Sequence, residues 1–243
     1  MPGPAPSAPH KALLRGMLAS APFLVVVVPF AVLFGVVATE AGLDLLQVMA
    51  FSVAVFAGAS QFTALQLMQD QAPTAIVLAT SLAVNLRMGM YSAALTPHLG
   101  ALPLGRRTLV SFFLVDQSYA ASAAEYERRP DLPLADKLAF FAGSVLPIAP
   151  LWYAATWSGA VLGTRIPPEY ALDFAVPITF IAMLGPMLRT PAHWAAALMS
   201  VVAALALAFL PYGSGLLVAA VLAMLTGAAV EIALDRRQGQ HRA

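Results

Sequence analysis

Residues 17–38, MLASAPFLVVVVPFAVLFGVVA, form a continuous stretch without a charged side chain. A transmembrane α-helix needs about 20 consecutive, mostly apolar residues, and this stretch provides them. It is also longer than the apolar region of a secretory signal peptide, which has roughly 7–15 residues. The stretch therefore predicts a first transmembrane helix.

The rest of the chain has the same apolar character. Of its 243 residues, 60% are hydrophobic and 10% are charged, whereas about 25% of the residues of an ordinary globular domain are charged. This composition predicts an all-α, polytopic integral membrane protein. Polar residues, prolines and glycines divide it into about eight candidate transmembrane helices, at residues 17–38, 45–68, 73–96, 106–125, 137–163, 169–188, 191–210 and 213–232. The fifth carries Pro147 and Pro150, which predict a kink or an interruption.

The chain ends and the charges define the predicted domains and orientation. Residues 1–16 are expected to form a disordered cytoplasmic tail, residues 17–232 a single transmembrane domain, and residues 233–243 a second cytoplasmic tail. The excess of lysine and arginine on one side predicts that both termini are cytoplasmic. In that orientation three basic residues fall in outside segments: Arg106, Arg107 and Arg165.

An internal repeat is a further expectation, because many transporters are built from two related halves. An offset of 124 residues pairs Gly35 with Gly159 and Phe56 with Phe180. This pairing relates the first predicted span to the fifth, which corresponds to a parallel rather than an inverted repeat.

Several classes of protein are excluded by what the sequence lacks. Without cysteine it forms no disulfide or thiolate metal site, and its four histidines lack metal-ligand spacing. A formal net charge of +1 gives no basic field for nucleic acid. No P-loop or nucleophile–base set is present. We therefore expect neither an enzyme nor a cofactor.

One polar stretch interrupts the third predicted span: VNLRMGMYS, residues 84–92. Arg87 lies about ten residues from the outer end of this span, a depth of roughly 15 Å in a core about 30 Å thick. Asp116 lies as many residues after the centre of the next loop, near Ala101 and Leu102, as Arg87 lies before it. Two antiparallel helices would place both residues at one depth, which predicts a direct or water-bridged ion pair. The alternative is that Arg87 faces a wet cavity and binds a substrate carboxylate.

Asn85 lies on a different face of the same predicted helix. It shares a stripe with Ser81, Met88 and Ser92, whereas Arg87 is about 200° away around the helix and shares a face with Tyr91. Asn85 is therefore predicted to form interhelical hydrogen bonds.

The second unusual stretch is FAGASQFTALQ, residues 56–66. Four small residues, Ala57, Gly58, Ala59 and Ser60, precede Gln61. Small residues allow close helix packing. They also allow a helix to break near the membrane midplane, where the freed backbone groups could bind a zwitterion such as an amino acid. Both interpretations remain open at this point.

These motifs resemble the AzlC/YgaZ family, the large subunit of two-component branched-chain amino acid exporters. FAGASQF at 56–62 and NLRMGMYSAALTP at 85–97 carry most of the resemblance, and DQSYA at 116–120 and LDFAVPITFIAMLGPML at 172–188 are similar to later family blocks. The resemblance covers about residues 13–232. Where the family usually has histidine and glutamate, this chain has Met88 and Gln117, and both differences remove a titratable group.

The resemblance implies proton-driven export of leucine, isoleucine, valine, methionine or their analogues across the bacterial inner membrane. It also implies a small AzlD/YgaH-like membrane subunit as partner. In this hypothesis Gly58, Ala59, Ser60 and Gln61 contact the substrate, and Asn85 and Arg87 support the site or bind the carboxylate. Asp116 is the ion-pair partner of Arg87 or the proton carrier. The alternatives are a membrane scaffold subunit without a transport path, and a permease or channel for another small zwitterion.

Overall fold

The computed structural model describes residues 8–163, 188, 190–210 and 214–240. The chain divides into two compact units: residues 1–62 with 84–170, and residues 63–83 with 171–243. The helices are α1 (Pro9–Ser20), α2 (Leu24–Glu40), α3 (Leu45–Ala54), α4 (Gly58–Gln69), α5 (Thr74–Leu99), α6 (Leu104–Phe112), α7 (Asp116–Arg128), α8 (Leu134–Val145), α9 (Ile148–Gly163), α10 (Pro191–Ala206) and α11 (Ser214–Gln240).

Four helical segments of the described residues are long and apolar enough to cross a membrane: Pro9–Glu40, Thr74–Leu99, Leu134–Gly163 and Ser214–Arg236. No strand occurs in the described part of the chain. The predictions of an all-α fold and of a polytopic membrane protein are thus confirmed. The predicted span at 169–188 lies outside the described residues apart from Leu188, and that at 191–210 corresponds to the 16-residue α10.

The first segment begins earlier than the sequence predicts. A short 3₁₀ turn (Ala21–Phe23) joins α1 to α2, and α1 starts at Pro9. Residues 9–16 are therefore helical, and their prediction as part of a disordered tail is wrong. The physical reason is tertiary contact, since Ala12 is fully buried and Arg15 Nε donates a hydrogen bond to Glu125 Oε1 over 3.1 Å. The predicted interruption of the fifth span is confirmed, because α8 ends at Val145 and α9 begins at Ile148.

The first and fifth predicted spans pack against each other through glycines. A Cβ on Gly35 would lie 2.2 Å from the carbonyl oxygen of Thr156, and one on Gly159 would lie 2.0 Å from that of Val32. Glycine is required because the two backbones touch.

The same arrangement recurs more than four helical turns earlier, between Gly16 of α1 and Gly143 of α8. Since α1 pairs with α8 and α2 with α9 in the same order, the two long segments run parallel. The predicted repeat pairs Gly35 with Gly159, and these residues lie at this contact. The other pair of that repeat includes Phe180, which lies outside the described residues.

The predicted spans at 45–68 and 106–125 are each two short helices separated by a break. The helices α3 and α4 have 10 and 12 residues, and α6 and α7 have 9 and 13. Each is roughly 14–20 Å long, about half of a bilayer core. The prediction that some helices are broken is confirmed, at residues 55–57 and 113–115.

The second break reverses the direction of the chain. Along α5 and α7, Arg87 contacts Asp116, Tyr91 stacks on Tyr119, and His98 contacts Tyr126. The contacts follow the same order in both helices, so α5 and α7 run parallel. The short α6 must therefore carry the chain back from the end of α5 to the level of Arg87. We call α6 and α7 the second hairpin.

The first break also reverses the chain. Phe51 of α3 contacts Phe34 of α2, and Gly58, just after the break, contacts Phe30, which is one turn nearer the start of α2. Phe62 of α4 then contacts both Phe30 and Phe34, so α4 runs back in the opposite direction to α3. We call α3 and α4 the first hairpin.

The second hairpin corrects the predicted positions of two charges. It begins and ends at the end of the first unit where Arg15 contacts Glu125. Arg106 and Arg107, at the start of α6, therefore lie at the same end as Arg128, whereas the sequence had placed them on the opposite side. The prediction was wrong because it assumed that residues 106–125 cross the membrane once.

The second unit contains α10 and α11, which pack against each other. Thr190 caps α10 by accepting a hydrogen bond from the backbone N–H of His193 over 3.2 Å. Small side chains at the contact allow the two helices to approach closely, since a Cβ on Gly227 would lie 3.2 Å from the Cβ of Ala196.

Candidate functional site

The tips of the two hairpins meet inside the first unit. The ring of Phe56, in the first break, lies 5.6 Å from that of Phe113, in the second break. Phe56 also lies 6.1 Å from the ring of Trp152 and 5.7 Å from that of Tyr153, both on α9. The junction of the two breaks is therefore lined by aromatic rings.

Side-chain hydrogen bonds hold each break in place. In the second, Ser118 Oγ accepts the backbone N–H of Val115 over 2.9 Å and donates to the carbonyl oxygen of Phe113 over 2.9 Å. Next to the first, Trp152 Nε1 donates to Ser52 Oγ over 2.9 Å. The Ser118 bonds satisfy backbone groups at the second break, and the Trp152 bond satisfies the buried indole N–H.

Gly58, the first residue of α4, fits closely against two rings. A Cβ at this position would lie 2.4 Å from the ring of Phe30 and 2.8 Å from that of Trp152. Any side chain would therefore displace one of these rings. Because α4 begins here, the partial positive charge at the amino end of a helix lies at the aromatic junction.

Gln61 follows in the first turn of α4 and is fully buried. Within the described part of the chain, neither its amide nitrogen nor its amide oxygen has a hydrogen-bond partner. A buried polar group without a partner costs about 1–3 kcal/mol. The amide is therefore available to a ligand or to water. Its neighbour Ser60 is also buried.

Arg87, Asp116 and Tyr91 form a polar cluster beside the second break. Arg87 Nη1 lies 2.9 Å from Asp116 Oδ2, and the Tyr91 hydroxyl donates to Asp116 Oδ1 over 2.8 Å. Asp116 is the first residue of α7, where a negative charge interacts favourably with the helix dipole. The Tyr91 ring stacks on Tyr119 at 4.2 Å.

The ion pair retains unused capacity for binding. The side chains of Arg87 and Asp116 are 27% and 36% exposed, so neither charge is fully enclosed by protein atoms. At the same time Arg87 Nε is buried and has no partner among the described residues. An arginine offers five N–H donors in a planar fork, which matches a carboxylate in two-point geometry.

Asn85 lies on the same helix and is not part of this cluster. Its side-chain oxygen is buried and has no hydrogen-bond partner within the described ranges. The predicted interhelical hydrogen bond through that oxygen is therefore absent there.

The predicted site residues thus form two groups, one after each break. Gly58, Ala59, Ser60 and Gln61 open α4, and Asp116 opens α7 with Arg87 beside it; the Phe56–Phe113 contact links the two breaks. Sequence reasoning did not identify Phe113, Trp152 or Ser118 as part of this site. For Tyr91, the sequence predicted only that it shares a helix face with Arg87. Among the described residues, no group of His, Cys, Asp and Glu is arranged to hold a metal ion.

The sequence is similar to those of known membrane proteins. Residues 22–166 match the sequence profile of the family described as AzlC protein. The chain is 30% identical to an uncharacterized membrane protein of Archaeoglobus fulgidus, covering 72% of this chain and 75% of the relative. It is 28% identical to the inner membrane protein YgaZ of Escherichia coli, covering 75% and 76%. No solved structure matches the chain significantly.

Proposed function

Because this chain belongs to the AzlC family, and is a multi-pass membrane protein, we propose that it exports leucine, isoleucine, valine and related apolar amino acids. The observation that carries the proposal is the meeting of two hairpin tips, one followed by the buried amide of Gln61 and the other by the Arg87–Asp116 pair. Interrupted helices that meet inside a membrane domain are a common way to build a transporter binding site.

The junction offers one partner for each part of an amino acid. The substrate carboxylate is received by the free donors of Arg87 and by the amino end of α4 at Gly58. The ammonium group pairs with Asp116, and Gln61 serves as an additional hydrogen-bond partner. The apolar side chain packs against the aromatic rings of Phe56 and Trp152.

Asp116 is the proposed proton carrier. On the cytoplasmic side the deprotonated Asp116 pairs with the ammonium group of the substrate while Arg87 holds the carboxylate. On the outer side Asp116 takes up a proton, loses its charge and releases the ammonium group, so the substrate leaves. The empty protein then returns and releases the proton to the cytoplasm, which restores the Arg87–Asp116 ion pair. Asn85, on another face of α5, supports the site rather than contacting the ligand. This cycle couples export to the proton motive force.

The proposed assembly includes a small AzlD/YgaH-like membrane subunit in the bacterial inner membrane, with both termini cytoplasmic. The name of the Escherichia coli relative supports the location. The excess of basic residues at one end of the first unit supports the orientation.

A binding screen tests the proposal against a pure scaffold role. The purified chain, with and without the small subunit, is heated in the presence of leucine, isoleucine, valine, methionine, aspartate or lysine. We expect the apolar amino acids to raise the thermal midpoint and the Gln61→Leu variant to lose that rise. A scaffold subunit would gain no stability from any of them, and stabilisation by aspartate or lysine alone would indicate a different zwitterion.

A further inference from the structure

A second polar cluster lies at the end of the first unit that carries Arg15, outside the proposed amino acid site. The carboxylate of Glu125 is 4% exposed and contacts three guanidinium groups. Arg15 Nε lies 3.1 Å from Oε1 and Arg129 Nε lies 3.7 Å from it, while Arg128 pairs with Oε2. A single buried negative charge thus anchors three positive charges.

The three arginines keep donors available. Arg15, Arg128 and Arg129 are 31%, 63% and 44% exposed, in contrast to the buried Glu125. Their charges exceed the one carboxylate they contact, so the cluster is positive and faces outward. Exposed guanidinium groups held in fixed positions bind phosphate oxygens in two-point geometry.

The cluster opens into an apolar cavity of about 520 Å³. Arg15, Glu125 and Arg128 line one part of it, and Leu18, Phe23 and Phe140 line another. Leu18 is 66% exposed. From Arg15 to Phe23 the helical segment advances by roughly 12 Å, toward the interior of the membrane span. The cavity therefore has a cationic mouth and an apolar wall that continues in the direction of the acyl chains.

We propose that this cavity binds an anionic phospholipid, with its phosphate on Arg15 and Arg128, the positive charge of Arg129 nearby, and an acyl chain along Leu18 and Phe23. Basic pockets between transmembrane helices are suited to such headgroups. Because the cavity lies between α1 and α7, the lipid would hold the second hairpin against the first long segment. The inference depends on the chain residing in a bilayer and does not depend on amino acid export.

Native mass spectrometry of the full-length chain measures the binding directly. We expect phosphatidylglycerol to bind at least about tenfold more tightly than phosphatidylcholine, because its headgroup has a net negative charge, whereas the choline group of phosphatidylcholine offsets the charge of its phosphate. The R128Q/R129Q double variant should lose this preference. The matched control R106Q/R107Q removes the same charge at the same end of the first unit and should retain it.

Two further measurements keep the proposal testable if R128Q/R129Q fails to fold. Leu18→Gln alters only the exposed apolar wall, and it should weaken phosphatidylglycerol binding severalfold. Inorganic phosphate at millimolar concentration should not displace the lipid. Equal loss in both double variants would indicate diffuse charge attraction and overturn the site. Displacement by phosphate, or unchanged binding in Leu18→Gln, would overturn its assignment to a lipid.

Discussion

Arg87 Nη1 and Asp116 Oδ2 lie 2.9 Å apart at the point where the second hairpin turns. The helices that carry them run parallel, so the pair forms because α6 returns the chain to the level of Arg87. Tyr91 completes the cluster by donating to the other carboxylate oxygen. This relationship places a carboxylate and a guanidinium group side by side next to the second break.

The Arg87–Asp116 pair should show energetic coupling. Arg87→Gln and Asp116→Asn each leave one charge without its partner, so each should lower the thermal stability of the purified protein. The double variant removes both charges, and its loss should be smaller than the sum of the single losses by about 1 kcal/mol. Additive losses in thermal unfolding would show that the two side chains do not interact in the folded protein.

Gly58 should tolerate no side chain. Gly58→Ala places a Cβ against the rings of Phe30 and Trp152 and should cost about 1–3 kcal/mol of stability, with loss of leucine transport. Gly89→Ala is the matched control, because a Cβ at this α5 position has no atom within 4 Å. The control should be neutral or slightly stabilising, since alanine favours a helix more than glycine. Similar effects of both variants on unfolding and transport would refute the close fit.

The second hairpin predicts that positions 106 and 128 lie on the same side of the membrane. The chain contains no cysteine, so a single introduced cysteine is a unique label. Cysteines replacing Arg106 and Arg128 should react with an impermeant maleimide from the same side of the membrane. A cysteine at Glu40, at the far end of the first long segment, should react from the opposite side. If position 106 is labelled from the same side as position 40, residues 106–125 cross the membrane once and do not form a hairpin.

The sequence predicts the class of fold correctly because class depends on average apolar content. The stretch at 17–38 identifies its span without any knowledge of neighbours, and Pro147 marks the interruption before α9. The same averaging fails for the hairpins. Two half-length apolar helices and one full-length helix have the same hydropathy, and the second break consists of Phe113, Leu114 and Val115, which carry no turn signal.

The candidate site was predictable only in part. Polar residues in an apolar chain identify Arg87 and Asp116, and the glycine of FAGAS marks the first break. Their proximity follows from the hairpin, which the sequence does not reveal, rather than from two antiparallel spans. The roles of Phe113 and Trp152 were also invisible, because aromatic residues in a membrane domain ordinarily serve as packing.

The central claim is that Asp116 couples substrate movement to protons, and proteoliposomes loaded with leucine test it most directly. The chain is reconstituted with and without the proposed small subunit, and leucine efflux is measured with and without an imposed proton gradient. Asp116→Asn should abolish the acceleration by the gradient, while Glu127→Gln, a neutralised acid elsewhere on α7, should keep it. Proton-driven efflux that is unchanged in Asp116→Asn would contradict the account.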